Sequence, residues 1–250
     1  MLNDILAGAG YMRRGWSLIR EPGLRRYVIA PIAVNCLVIA GLVWLFSSYW
    51  GGWLDSWMAG LPDWLAWLEA VVWWLGMIAV LAVFALTFTV LANLIASPFN
   101  GLLAAQVEKR LTGQLPESGQ SLWSETVSGL TGEGRKLFYF AWRAILLLLL
   151  SLVLIPFPLL NTAIPVLWFA LSAFMLALEY LDNPMSNHGM SFPAKLASLR
   201  RRRGLGLGFG AVATVLTTLP LVNLVVMPVA VAGATALWVD RLRESARPGH

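Results

Sequence analysis

Four stretches of this chain, 27–50, 65–95, 144–178 and 205–239, hold between them a single charged side chain, Glu69. Each is at least as long as the roughly 20 apolar residues that a helix needs to cross a bilayer. A segment of that kind buries its own backbone polar groups only as a helix, so the sequence predicts an all-α integral membrane protein. Composition agrees where it is most diagnostic: charged residues make up 12% of the chain and hydrophobic residues 58%. A soluble domain carries about 25% charged residues.

The distribution of the charges orients the chain. All 18 Lys and Arg fall in four places: before residue 27, between residues 109 and 143, between 195 and 203, and beyond residue 240. None lies between the first two apolar runs or near the middle of either later block. Positively charged loops stay cytoplasmic, which predicts cytoplasmic N and C termini in a bacterial inner membrane. The loop after residue 50 carries Asp55 and Asp63 but no base. It also holds Trp50, Trp53, Trp57, Trp64 and Trp67, an aromatic belt for the opposite side. The net charge of +5 is therefore topological in its placement and does not point to nucleic acid.

Residues 1–250 read as one membrane domain. Residues 1–26 form an amphipathic segment, with Leu2, Ile5, Leu6, Ala9, Met12, Trp16 and Ile19 at helical spacing among Arg13, Arg14 and Arg20. That pattern resembles an interfacial helix on the cytoplasmic leaflet rather than a cleavable signal. The first span is 27–50, with Pro31 near its start. A long second helix covers 65–111 with a break at Pro98 and a stop near Gly113. Residues 112–143 are a cytoplasmic segment of loop or short helix.

Hairpins follow at 144–178 and 205–239, separated by a basic cytoplasmic segment at 179–204, and 240–250 is a tail. Pro158-Leu159-Leu160-Asn161 splits the first hairpin and Pro220-Leu221-Val222-Asn223 the second, each followed by a further proline, Pro165 and Pro228. Each arm has roughly 16–18 residues, which is enough just to cross or to penetrate partway and turn back inside the membrane.

Several polar residues carry two readings. Glu21-Pro22-Gly23-Leu24-Arg25-Arg26 opens the first span: free N–H groups at a helix start, a glycine that admits close approach and two guanidiniums suit a tetrahedral oxyanion, while Arg25 and Arg26 also serve to fix topology. Glu108 and Arg110 either line a path through the protein or end a solvated helix. Asn35, Thr87, Thr89 and Asn93 suit contacts between helices or a pore wall, and Asn161 and Asn223 suit turns.

Arg200 to Arg203 anchor the chain to anionic lipid, within reach of the carboxylates of Glu179 and Asp182, and a turn is expected at Asn183-Pro184. Gly204, Gly206, Gly208 and Gly210 alternate in an apolar segment, the pattern of close helix packing. Cys36, the only cysteine, excludes an internal disulfide. His188 and His250 are the only histidines, and neither a metal-binding HExxH helix nor a phosphate-binding loop occurs. The sequence therefore predicts no enzyme, no metal and no cofactor.

The ordered segments Gly23-Leu24-Arg25-Arg26-Tyr27-Val28 with Pro31 and Asn35, Ser97-Pro98-Phe99-Asn100 leading to Val107-Glu108, Glu179-Tyr180-Leu181-Asp182-Asn183-Pro184-Met185, and Ser191-Phe192 before the arginine run resemble the CysZ family of bacterial sulfate permeases. The resemblance spans essentially the whole chain. It implies sulfate uptake that feeds cysteine synthesis without ATP hydrolysis. It also implies two long membrane helices with two pairs of short, partly penetrating ones, a homo-oligomer, and sulfate held at Gly23, Leu24, Arg25 and Arg26. A path past Glu108 and Arg110 is a further expectation. The competing class is a membrane scaffold or assembly factor that uses the same bases only as lipid anchors.

Overall fold

A computed structural model of the 250-residue chain describes residues 1–58, 71, 73–79, 99–116 and 122–243. The described residues are helical and turn, with no strand among them. Among the described residues four helical stretches are long and apolar enough to cross a membrane: Arg25–Trp50, Gly132–Leu154, Pro158–Ser186 and Val225–Leu242. The chain divides into two compact units, one of residues 27–99 and one of residues 1–26 with 100–250.

In the first of these units the main element is α2, Arg25–Met58, whose first two residues belong to the other unit. Pro31 falls in its second turn. Residues 73–79 are helical, and Gly76 lets its backbone lie against the Trp50 ring, where an added Cβ would come within 2.7 Å of the indole. Pro98, Thr87, Thr89, Asn93, Asp63, Trp64 and Trp67 lie outside the described residues.

The second unit begins with α1, Leu2–Ile19. Residues 99–112 form α3, which ends at Gly113: a φ of +81° there suits glycine, and its N–H closes on the Lys109 carbonyl at 2.8 Å. Then come α4 (Leu122–Leu154), α5 (Pro158–Asn161), α6 (Ile164–Ser186), α7 (Phe192–Arg201), α8 (Arg203–Thr217) and α9 (Pro220–Leu237), with a π-helical turn at Trp238–Leu242. α1, α6, α8 and α9 pack together around Leu181, Phe209, Val231 and Leu237, all fully buried. The outer face of α4 leaves Phe138, Ile145, Leu149, Leu152 and Val153 exposed, as a lipid-facing helix does.

α1 departs from the expected surface helix. It is seated between α8 and α9, with Tyr11, Met12, Leu18 and Ile19 buried, while Leu2, Leu6 and Trp16 of the same apolar stripe stay exposed. Glycines are the cause. An added Cβ at Gly8 would overlap the Leu205 carbonyl, at Gly208 the Ile5 carbonyl, and at Gly15 the Val229 carbonyl. Such backbone-to-backbone approach is how small residues join helices in lipid. Gly210 meets Ala173 of α6 in the same way. Gly208→Ala is therefore expected to destabilise the protein by about 1–3 kcal/mol. Gly10→Ala, where a Cβ meets nothing within 4 Å, should be neutral or stabilising. Thermal unfolding of both variants in detergent separates the two cases.

The prolines shape the hairpins. Phe157 (ψ 81°) and Leu219 (ψ 107°) both leave the helical region, as residues before proline tend to, and Pro158 and Pro220 each take the first position of a new helix. The two tips then differ. The first adds the single turn of α5 before α6, with Pro165 in its first turn, whereas the second runs straight into α9 and through Pro228. The arm α8 has 15 residues and rises only about 22 Å, less than the ~30 Å hydrocarbon core.

The expected turn at Asn183-Pro184 is instead helix, inside the last turn of α6. Proline has no N–H to give the Tyr180 carbonyl, and the Asn183 Nδ2 supplies that donor at 3.3 Å. α4 likewise begins at Leu122, so Arg135, Lys136 and Arg143 ride on one continuous helix with the apolar stretch. The carboxylates of α6 choose lysines over the arginine run: Glu179 pairs with Lys136 at 2.8 Å and Asp182 with Lys195 at 2.6 Å. Both lysines are buried between helices, where an unpaired ammonium would be costly, while Arg200 to Arg203 point outward.

Candidate anion site

The turn from α1 into α2 is Glu21-Pro22-Gly23-Leu24. The Glu21 carbonyl accepts from the Leu24 N–H at 3.0 Å and the Arg25 N–H at 3.3 Å. Those two amides are thus occupied. Among the described residues no acceptor meets the Gly23 N–H, and no heavy atom lies within 4 Å of where a Gly23 Cβ would sit. Leu24 is buried and anchors the turn.

Arg25 and Arg26 part company. The Arg25 Nε donates to the Arg20 carbonyl at 2.7 Å and so caps the carboxyl end of α1. Arg26 instead lines a cavity of 510 Å³ together with Glu21, Gly23, Leu24, Lys109 and Arg110. The first turn of α2 has no acidic residue of its own to offset the positive end of the helix. Three cationic side chains surround the cavity against one carboxylate. That carboxylate, Glu21, accepts from the Arg110 Nε at 2.7 Å, which raises the Arg110 pKa further above its ordinary range. With its cations and its open amide, the cavity has the charge and the donors to hold a small dianion.

Sequence reasoning left Glu108 and Arg110 either on one path or at a solvated helix end. The structure sends them apart. Arg110 faces the cavity, while Glu108 is 1% exposed and holds His188 and Arg243. Its oxygens lie 2.8 and 3.0 Å from the His188 Nε2, and the Arg243 guanidinium reaches Oε1 at 3.2 Å. It is therefore not the solvated helix end that was the alternative. The π-helical turn brings Arg243 here and turns Asp240 the other way, where it accepts from the Tyr11 hydroxyl at 3.0 Å and pairs with Arg14. Burial pushes the Tyr11 phenol above its ordinary pKa, so it stays a neutral donor. Lys109 is the residue missed as a site candidate. Its position beside Arg110 in the sequence was visible, but not that the end of α3 returns to Gly23.

Comparison with known proteins places the chain in a family. Residues 11–228 match the family described as sulfate transporter CysZ/etoposide-induced protein 2.4. The sulfate transporter CysZ of Pectobacterium atrosepticum is 44% identical over 240 residues, 95% of this chain and 86% of that protein. The sulfate transporter CysZ of Salmonella typhimurium is 43% identical over 237 residues, 94% of this chain and 92% of that protein. The matched region takes in the Gly23-to-Arg26 turn, the cations of α3, the first hairpin and most of the second, and on that extent of similarity the chain belongs to the sulfate transporter CysZ/etoposide-induced protein 2.4 family.

Proposed function

We propose that this protein carries sulfate inward across a bacterial inner membrane, supplying cysteine synthesis, and that Gly23, Leu24, Arg25 and Arg26 form the entry of its sulfate site with Lys109 and Arg110. The carrying observation is the cavity at the α1–α2 turn, where Arg26, Lys109 and Arg110 face Glu21 and the open Gly23 backbone. Sulfate carries two negative charges, and Arg26, Lys109 and Arg110 supply cationic donors at the cavity wall. In this reading sulfate competes with Glu21 for Arg110, so Glu21 takes the guanidinium back when the anion leaves. Leu24 positions the turn, and Arg25 holds its geometry from behind by its bond to α1.

The protein acts as a homo-oligomer with both termini in the cytoplasm, and the short arm α8 penetrates the bilayer only partway. The confinement of all 18 Lys and Arg to four segments outside the apolar runs supports the orientation, and the modest rise of α8 supports its partial penetration. Uptake needs no ATP-hydrolysing part.

Liposomes that contain only this protein should take up labelled sulfate faster than empty ones. Flux at the empty-liposome rate would favour the scaffold reading. In a Cys36-free background, an impermeant thiol reagent added outside should label a cysteine at position 55 and miss one at position 118. The reverse pattern would overturn the orientation.

A further inference from the structure

Among the described residues Arg14, Arg110, Lys136, Lys195 and Arg243 each pair with a carboxylate. Arg135, Arg143 and Arg200, like several other bases, do not, and these three gather at one place. Arg143 stacks its guanidinium 3.4 Å from the centre of the Tyr139 ring and donates to the Tyr139 carbonyl at 3.1 Å. Arg200, from α7, donates to the Tyr139 hydroxyl at 3.0 Å and lies 5.4 Å from the same ring centre. Arg135 is exposed one helical turn away on α4.

Two guanidiniums held on one aromatic ring repel each other unless an anion joins them. Beside them is a mostly apolar groove of 650 Å³ between α4 and the start of α7, with Arg135 and Arg143 at its polar part and Phe138, Trp142 and Phe192 along its wall. Phe138 and Trp142 are exposed, and the groove opens at the foot of the apolar stretch Gly132–Leu154. Guanidiniums and indole at one level, with an apolar wall running on toward hydrocarbon, match an amphiphile: phosphate at the bases, acyl chain on the wall. A free inorganic anion would leave that wall without a partner.

We propose that this groove binds the headgroup of an anionic phospholipid, its phosphate held by Arg143 and Arg200 with Arg135 adding charge. The site is separate from the sulfate cavity and shares no residue with it. It stands on the membrane character of the fold alone, so failure of the sulfate reading leaves it intact.

The test is native mass spectrometry of the purified full-length chain in detergent, titrated with dioleoylphosphatidylglycerol, dioleoylphosphatidylcholine or inorganic phosphate. Phosphatidylglycerol should be retained in preference to phosphatidylcholine, and inorganic phosphate should not displace it. The double variant Arg143→Gln with Arg200→Gln should weaken retention about tenfold or more, since two charge-assisted contacts are lost. Arg202→Gln removes a charge from the same basic run outside the groove and should leave retention unchanged. Arg135→Gln, at an exposed position, should give a smaller loss of about threefold and serves if the double variant does not fold. Equal retention of the two lipids, displacement by inorganic phosphate, or undiminished phosphatidylglycerol binding in every recovered groove variant would overturn the proposal.

Discussion

Arg26→Ala should weaken sulfate binding by about tenfold or more, and the double variant Arg25→Ala with Arg26→Ala should leave binding too weak to measure. Each charged hydrogen bond to a dianion contributes roughly 1.5–3 kcal/mol, and 1.4 kcal/mol is a factor of ten. The geometry divides the two arginines. Arg26 lines the cavity, so its removal takes a donor and a charge directly. Arg25 holds the Arg20 carbonyl, so Arg25→Ala alone should give a smaller loss by loosening the turn. Lysine at position 26 should restore part of the affinity, because it keeps the charge and loses the planar fork. Calorimetric titration of sulfate into purified protein reads these differences. Orientation should not change, since Arg13, Arg14 and Arg20 remain on the same side. Binding by the double variant at the wild-type level would remove the turn from the site.

The largest expected effect on stability is that of Glu108→Ala. This carboxylate is buried and is the anionic partner recorded for both His188 and Arg243. Removing one member of a fully buried charged pair costs about 3–5 kcal/mol; here Arg243 is a third exposed and water screens it, so about 2–3 kcal/mol is expected. For a chain of this size that corresponds to a melting temperature lower by roughly 4–12 °C. Glu108→Gln keeps an acceptor for His188 and should lose less. Thermal unfolding in detergent, followed by circular dichroism, measures both. A melting temperature unchanged in Glu108→Ala would show that Arg243 and His188 find other partners at no cost. Sulfate binding is the informative second reading: Glu108 lies away from the cavity, so affinity in the folded variant should stay close to wild type.

Local pattern carried much of this protein and distant pairing carried the rest. Continuous apolar runs announced the helices, because lipid leaves the backbone few alternatives. Alternating glycines from Gly204 to Gly210 announced close packing, and the structure puts Ile5 and Ala173 against two of them. The seat of α1 was not legible. Its apolar stripe fits a bilayer surface as well as a protein groove, and only the match of Gly8 to Leu205 and of Gly15 to Val229 decides between them.

Asn183-Pro184 misled for a local reason. The dipeptide favours a turn, yet the asparagine amide repairs the hydrogen bond that the proline removes. Glu108 meets His188 80 positions along the chain, a separation that no periodicity encodes. In the site, Gly23 and Arg26 were readable from spacing at a helix start. The outward turn of Arg25 toward Arg20 and the return of Lys109 depend on how helices cross.

The seating of α1 against α8 and α9 has a consequence for biosynthesis. Tyr11 and its acceptor Asp240 are 229 positions apart. At about 5–20 residues per second, the acceptor emerges from the ribosome on the order of ten to fifty seconds after the donor. For most of that interval α1 has neither of the helices that accommodate its glycines, and its exposed apolar stripe gives it the bilayer surface as a resting place. The interfacial helix read from the sequence then describes a stage in the life of the chain, and docking onto α8 and α9 is the step that completes assembly.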